Sequence, residues 1–372
     1  MKILQLGKFY PIRGGVEKVM FDLMKGISEK GIGCDMLCAS ETFNDIIVSI
    51  NPQATLYATS SFTKLFGTMM SPSLIFKLRN ICNEYDLIHV HHPDPMAALA
   101  LWLSGYRGKV ILHWHSDIIK QKKLLKLLMP LQNYIIRRAD IIVGTTPVYV
   151  KKSPHLSAFQ DKVTYLPIGI EQLRPNNTRI AQIREKYKGK KIVFSLGRLV
   201  EYKGYQYLID SAKYLPDDYI ILIGGSGPLK EKLLKQIEES GLSDKVKLVG
   251  RISDDELPAY YAACDLFCLS SIIKTEAFAI VQIEAMSLGK PVVATNIPDS
   301  GVSWVNADGV SGLNVNVKDS RALATAIKNI LNDESLYKKL SDGALERFKQ
   351  LFTINKMIDS CIDIYNSVLT EQ

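Results

Sequence analysis

The sequence predicts an α/β architecture of two doubly wound domains, and three observations carry that expectation. Short apolar runs bounded by turn residues recur along the chain, as strands buried on both faces do; residues 3–6, 219–223 and 265–270 are examples. Segments with apolar residues at helical spacing alternate with them, so the strands should be parallel and joined by crossovers. The chain has 372 residues, 47% hydrophobic and 23% charged, a length more natural for two cores than for one.

Composition narrows the class. Six cysteines (Cys34, Cys38, Cys82, Cys264, Cys268, Cys361) lie mostly in apolar runs without CxxC pairs, and the first strand begins at once with no secretory leader. Reduced thiols and a cytoplasmic location are the expectation. No apolar stretch reaches the roughly 18 residues of a spanning helix. Forty-six Lys plus Arg against 38 Asp plus Glu give +8, which suits nucleic acid, anionic lipid or phosphorylated substrates. No nucleic-acid motif accompanies the charge, so nucleic acid is not an expected partner.

Taken in order, residues 3–6 form a strand, 7–15 a loop and 16–29 a helix. The adjacent Gly14 and Gly15 let backbone N–H groups approach a ligand at the helix start, although no G-x-G-x-x-G follows the strand. Between 55 and 85 the pattern weakens, with 74–85 reading as a helix. Residues 87–94 and 110–117 are strands that end in histidines: His89, His91 and His92 on the first, His113 and His115 on the second. Zinc is one reading, yet no acidic or Cys ligand completes either set, and hydrogen-bonded or cleft-lining histidines are commoner. Segment 118–139 interleaves Lys120, Lys122, Lys123, Lys126, Arg137 and Arg138 with leucine and isoleucine and is expected to break at Pro130. It reads equally as a helix lying on anionic membrane or as a solvated domain helix. Strands over 140–147 and 163–170 follow, then a linker over 171–177.

The second domain opens with a strand over 191–196 and a helix over 205–214, and the loop between them carries Arg198 and Lys203. Two cations at a strand end and helix start can neutralise a diphosphate. A strand with a glycine turn spans 219–228; another spans 245–252 and ends in Arg251 and Ile252. Asp254, Asp255 and Glu256 are expected to cap a helix carrying Tyr260 and Tyr261. After the strand at 265–270, Glu276 precedes and Glu284 sits on a helix whose apolar face is read as Phe278, Val281, Ala285 and Leu288. The two carboxylates lie at most roughly 12 Å apart along the axis, and the helix start favours an anion. Further helices are expected over 320–331, 335–351 and 353–369, the last with a stripe of Ile358, Ile362, Tyr365 and Leu369.

The run Glu276-Ala277-Phe278-Ala279-Ile280 through Glu284-Ala285-Met286 resembles the glutamate-pair motif of glycosyltransferase family four, retaining enzymes of the GT-B fold. Gly197-Arg198, with Lys203-Gly204, closely resembles that family's phosphate-binding pair. The family usually has Gly where this chain has Ala279. The likeness covers nearly the whole chain and implies two facing Rossmann-like domains with a cleft between them: residues 1–173 on the acceptor side, with 353–372 packing back on them, and 178–352 for the nucleotide-sugar. By the same resemblance Glu284 would hold the ribose, Arg198 and Lys203 the diphosphate, Glu276 the sugar, and Arg251 and Ile252 the base. Ala277, Phe278, Ala279 and Ile280 would complete the donor site, with Gly14 and Gly15 near the phosphates and His115 bonding to donor sugar or acceptor. Glu276, His115, Arg198 and Lys203 are the expected catalytic set. No Asp-x-Asp occurs, so neither a metal nor a resident cofactor is expected, and no carboxylate nucleophile is identifiable, which leaves front-side attack as the implied route. Residues 296–302 and 306–312 resemble those of bacterial surface-polysaccharide mannosyltransferases, pointing to GDP-mannose and a glycan or polyprenyl-linked acceptor, with UDP-sugars as the alternative. A nucleotide-sugar epimerase and a non-catalytic binding module are the rival readings.

Overall fold

The computed structural model describes residues 1–65, 68–117 and 122–370 and divides into two compact units, Met1–Gly169 with Ile354–Gln372, and Ile170–Thr353. The expected boundaries at 173 and 178 fall inside the second unit, because Ile170 donates its N–H to Phe352 O at 2.9 Å and bridges Thr353.

Unit 1 is built on β1 (Lys2–Tyr10), β2 (Gly33–Ser40), β3 (Ile46–Asn51), β4 (Ala54–Thr59), β7 (Leu87–His92), β8 (Lys109–Trp114), β9 (Ile141–Gly144) and β10 (Val163–Tyr165), with β5 (Thr63–Leu65) and β6 (Thr68–Met70) as a separate ribbon. The eight-stranded order is β10-β9-β8-β7-β1-β2-β4-β3. All neighbours run parallel except β3 and β4, an antiparallel hairpin. That hairpin makes β3 an edge strand, with Ile47 exposed. The first strand also continues past the expected loop start at Gly7, through a bulge where Lys8 takes a φ of 60°. Asp94 holds that bulge by accepting the Lys8 N–H at 2.5 Å.

The helix Pro72–Ile81 ends before the expected Tyr85, giving way to a single tight turn over Cys82–Glu84. The basic helix runs unbroken over Lys122–Arg138 with Pro130 inside it, against the expected break. A proline removes one backbone bond, and the buried Ile135 and Ile136 beyond it keep the helix seated. The C-terminal helix Ile354–Thr370 belongs to unit 1 but buries Met357, Ile358, Cys361, Tyr365 and Val368, so its face is rotated from the expected stripe; Ile362 and Leu369 are only half-buried. Gly26 on the helix Val16–Glu29 makes room for it, since a Cβ there would lie 2.0 Å from Ile358 Cδ1.

Unit 2 is a six-stranded parallel sheet, β13-β12-β11-β14-β15-β16, from β11 (Lys191–Leu196), β12 (Tyr219–Gly224), β13 (Val246–Gly250), β14 (Leu266–Leu269), β15 (Val292–Asn296) and β16 (Gly312–Asn316). Order reverses beside β11, whose neighbours are β12 and β14, and ligands of open α/β sheets bind at the carboxyl ends of strands at such a switch point. Val193, Ile221, Cys268 and Val293 fill the core against Leu208, Leu233, Leu323 and Ile327 from the helices. Each such side chain, fully buried, contributes on the order of 1.5–3 kcal/mol. That rigid sheet fixes the loops at its carboxyl edge.

Candidate active site

Two of those loops carry the expected phosphate ligands and the glutamate pair. After β11 the chain turns through Gly197 to Arg198, then through a tight turn over Glu201–Lys203 into the helix Tyr205–Ser211. Gly204 is required there: its φ is 66°, and a Cβ would lie 2.2 Å from Ser270 O in the loop after β14. That close approach brings the two loops together. Lys203 Nζ stands 2.5 Å from Glu276 Oε2, and both residues are 8% exposed. The same carboxylate accepts from Ser271 Oγ at 2.8 Å, while Ser270 Oγ donates to Lys203 O at 2.9 Å. Lys203 and Glu276, read separately as diphosphate and sugar ligands, are thus a buried ion pair. Burial enforces it, because neither charge is stable there alone. Arg198 is exposed and among the described residues has no ion-pair partner, so it is an open cation of this edge.

Ala279 begins the helix Ile280–Ser287 at φ 63° and ψ 77°, a left-handed conformation, with no side-chain cap on the helix start. The glycine usual in the resembling family follows from that backbone, independent of any ligand. Ala277 is half-buried, Phe278 is buried and packs edge-on against Phe352 at 5.9 Å, and Ile280 starts the helix. The helix buries Ile283, Ala285 and Met286; Val281 and Leu288, expected on that face, are half-buried. Glu284 accepts from Tyr261 Oη at 2.6 Å, and burial holds its carboxyl above the usual range. Tyr261 comes from the helix Leu257–Ala263, whose expected acidic caps make no side-chain hydrogen bond to its N-terminus. Arg251 is exposed and Ile252 half-buried, both just after β13. The glycine turn after β12 locks this edge: a Cβ on Gly225 would meet Gly197 O at 1.9 Å.

Unit 1 holds the other expected residues. Gly14 and Gly15, both at positive φ, form the turn before the helix Val16–Glu29. His115 follows β8, is 6% exposed and stacks on His113 with centroids 3.9 Å apart. The two histidine sets, separate in sequence, are joined by register: His91 pairs with His113 across β7 and β8, so His89, His91, His113 and His115 share one face. Burial keeps them neutral, pushing His113 down to about 3 and the others well below the ordinary value. Nitrogens of His89, His91 and His113 lie within 4.8 Å of one another. The rings nonetheless stack, 20° between His89 and His91 and 13° between His89 and His113, so their in-plane lone pairs run side by side and do not converge on an ion. Both His91 nitrogens are also engaged, Nδ1 with His115 Nε2 at 2.9 Å and Nε2 with Gln5 Oε1 at 2.8 Å. Gln5 and Ser271 escaped the sequence reading, and Tyr261 was placed on its helix without a role. Only a polar Gln inside an otherwise apolar first strand signalled one of them.

The membrane-contact expectation falls on 118–138. Lys120 lies outside the described residues, as do the side chains of Lys122, Lys123 and Lys126. Among the described residues, no helix is long and apolar enough to cross a membrane.

The family described as "Glycosyltransferase Family 4" matches residues 13–171, and that described as "Glycosyl transferases group 1" matches residues 176–347. The chain is 30% identical over 375 residues to O-antigen chain mannosyltransferase C of Escherichia coli, covering 99% of each chain. It is 29% identical over 358 residues to D-rhamnosyltransferase WbpZ of Pseudomonas aeruginosa, covering 95% of this chain and 92% of that one. Among solved structures, Anabaena HepE in complex with UDP superposes with a TM-score of 0.79 at 21% identity, over 99% of this chain and 100% of that one, a likeness of fold.

Proposed function

This chain belongs to glycosyltransferase family four and has its GT-B fold, and from that premise we propose that it is a retaining mannosyltransferase acting on GDP-mannose. The acceptor is a glycan or polyprenyl-linked glycan of bacterial surface-polysaccharide synthesis, a reading supported by the Escherichia coli relative's being named for the O-antigen chain. The observation that carries the donor reading is the Lys203–Glu276 pair beside the open Arg198 at the sheet's switch point.

Arg198 and the uncapped helix start take the diphosphate, and Glu284, held by Tyr261, takes the ribose. Arg251 and Ile252 face the base. Glu276 orients the sugar while Lys203 balances its charge. As the glycosidic bond breaks, negative charge grows on the leaving diphosphate, and fixed positive groups there lower the barrier. On unit 1, His115 hydrogen-bonds a sugar hydroxyl of the acceptor glycan. Metal is not required in this scheme, because Arg198 supplies the cation.

The test is incubation of purified protein with GDP-mannose or UDP-sugars, chelator and a polyprenyl-linked glycan, read by nuclear magnetic resonance. The expected product is an α-mannoside formed from GDP-mannose only. Activity lost with chelator and restored by magnesium would contradict the metal-free scheme, and conversion of donor alone would favour an epimerase.

The lysine-rich start of the basic helix is the proposed contact with anionic membrane at the inner face of the cytoplasmic membrane, where such an acceptor resides. Flotation with anionic vesicles should weaken with salt. Binding unchanged after neutralising Lys120, Lys122, Lys123 and Lys126 would reject it.

A further inference from the structure

The geometry points to Gln5 and His91 as positioning residues that hold His115 in its Nε2–H form, leaving Nδ1 as a bare acceptor for a sugar hydroxyl. The inference rests on the reading that His115 touches sugar, and it adds which atom does so and in which sense the hydrogen bond runs.

The argument follows donors along one chain of contacts. Gln5 Nε2 donates to Tyr365 Oη at 2.9 Å and lies 3.6 Å from Cys34 Sγ, two acceptors for its two hydrogens. Burial raises the Cys34 thiol, so it stays a neutral partner. Gln5 Oε1 then faces His91 Nε2 at 2.8 Å, and a carbonyl oxygen only accepts, so His91 Nε2 carries the hydrogen. A neutral imidazole has one N–H, and burial keeps these rings neutral. His91 Nδ1 is therefore a lone pair. It sits 2.9 Å from His115 Nε2, which must donate to it. That leaves His115 Nδ1 as the lone pair, with no hydrogen-bond partner among the described residues.

Tyr365 Oη accepts from Gln5 and also hydrogen-bonds His89 Nδ1 at 2.7 Å. Tyr365 is fully buried, edge-on to His89, on the C-terminal helix, so that helix anchors the Gln5 amide on the first strand. Stacking of His113 on His115 fixes the ring plane. A bare nitrogen presented this way accepts from a hydroxyl and repels a carbonyl or ether oxygen, so it selects a polyol group.

The test uses full-length protein labelled with nitrogen-15 histidine, its His115 signals assigned by comparison with His115→Gln. Long-range proton–nitrogen correlation without substrate should show the His115 hydrogen on Nε2. Gln5→Leu removes the fixed acceptor, so His115 should then populate both tautomers, with kcat/KM down roughly threefold to tenfold and GDP affinity unchanged. A hydrogen on Nδ1 in the parent, or an unaltered tautomer in Gln5→Leu, overturns the assignment. Turnover at the parent rate by His115→Ala overturns the sugar contact on which it rests, and the parent spectrum still decides the tautomer if Gln5→Leu fails to fold.

Discussion

At Ala279 the backbone and the side chain disagree. A non-glycine residue at φ 63° costs roughly 1–2 kcal/mol, and the buried loop around Glu276 holds it there. Ala279→Gly should raise stability by about 1 kcal/mol in urea unfolding, with turnover retained; a neutral or destabilising result would show the strain is not real. The buried pair predicts the opposite sign. Glu276→Gln strands the Lys203 charge, so it should lower stability by roughly 3 kcal/mol together with kcat. Adding Lys203→Met should restore much of the stability and none of the turnover. Recovery of turnover would make the pair structural only. Glu284→Ala should instead raise the donor KM with a smaller change in kcat, since the ribose is remote from bond breaking. Equal effects at both glutamates would contradict those roles.

At the scale of elements, the buried histidines of β7 and β8 and His115 make acid the weak side of unit 1. His89, His91, His92, His113 and His115 all have folded pKa values pushed down by burial from the ordinary 6.5. Below 6.5 the unfolded chain binds protons that the folded chain refuses, so stability falls as pH drops. Each histidine contributes about 1.4 kcal/mol per pH unit while its folded form stays neutral. The urea midpoint reported by Trp114, which stacks on His92 at 3.9 Å, should drop steeply between pH 6.5 and 5. A flat midpoint would mean the rings are already charged or exposed. These histidines also mark what the sequence could not show. Each strand was legible from its apolar run, but register across β7 and β8 is a tertiary property, and no spacing revealed that His91 faces His113. Pro130 looked like a break because the buried Ile135 and Ile136 that seat the helix beyond it are a tertiary feature.

Across the whole molecule, the doubly wound plan was readable because alternating strands and helices leave few topologies open. The loop positions of Arg198, Lys203 and Glu276 were readable too, since each follows an apolar strand. The pairing of Lys203 with Glu276 was not, because it depends on Gly204 meeting Ser270 O between two distant crossovers. The central claim is that unit 2 holds a nucleoside diphosphate along Arg198 and Glu284. It is tested most directly by calorimetric titration of GDP and UDP, with chelator present, into the parent, Arg198→Ala and Glu284→Ala. Loss of one charge-assisted hydrogen bond should weaken GDP binding roughly tenfold to a hundredfold in each variant. GDP binding as tight as the parent's in both variants would contradict the placement of the donor.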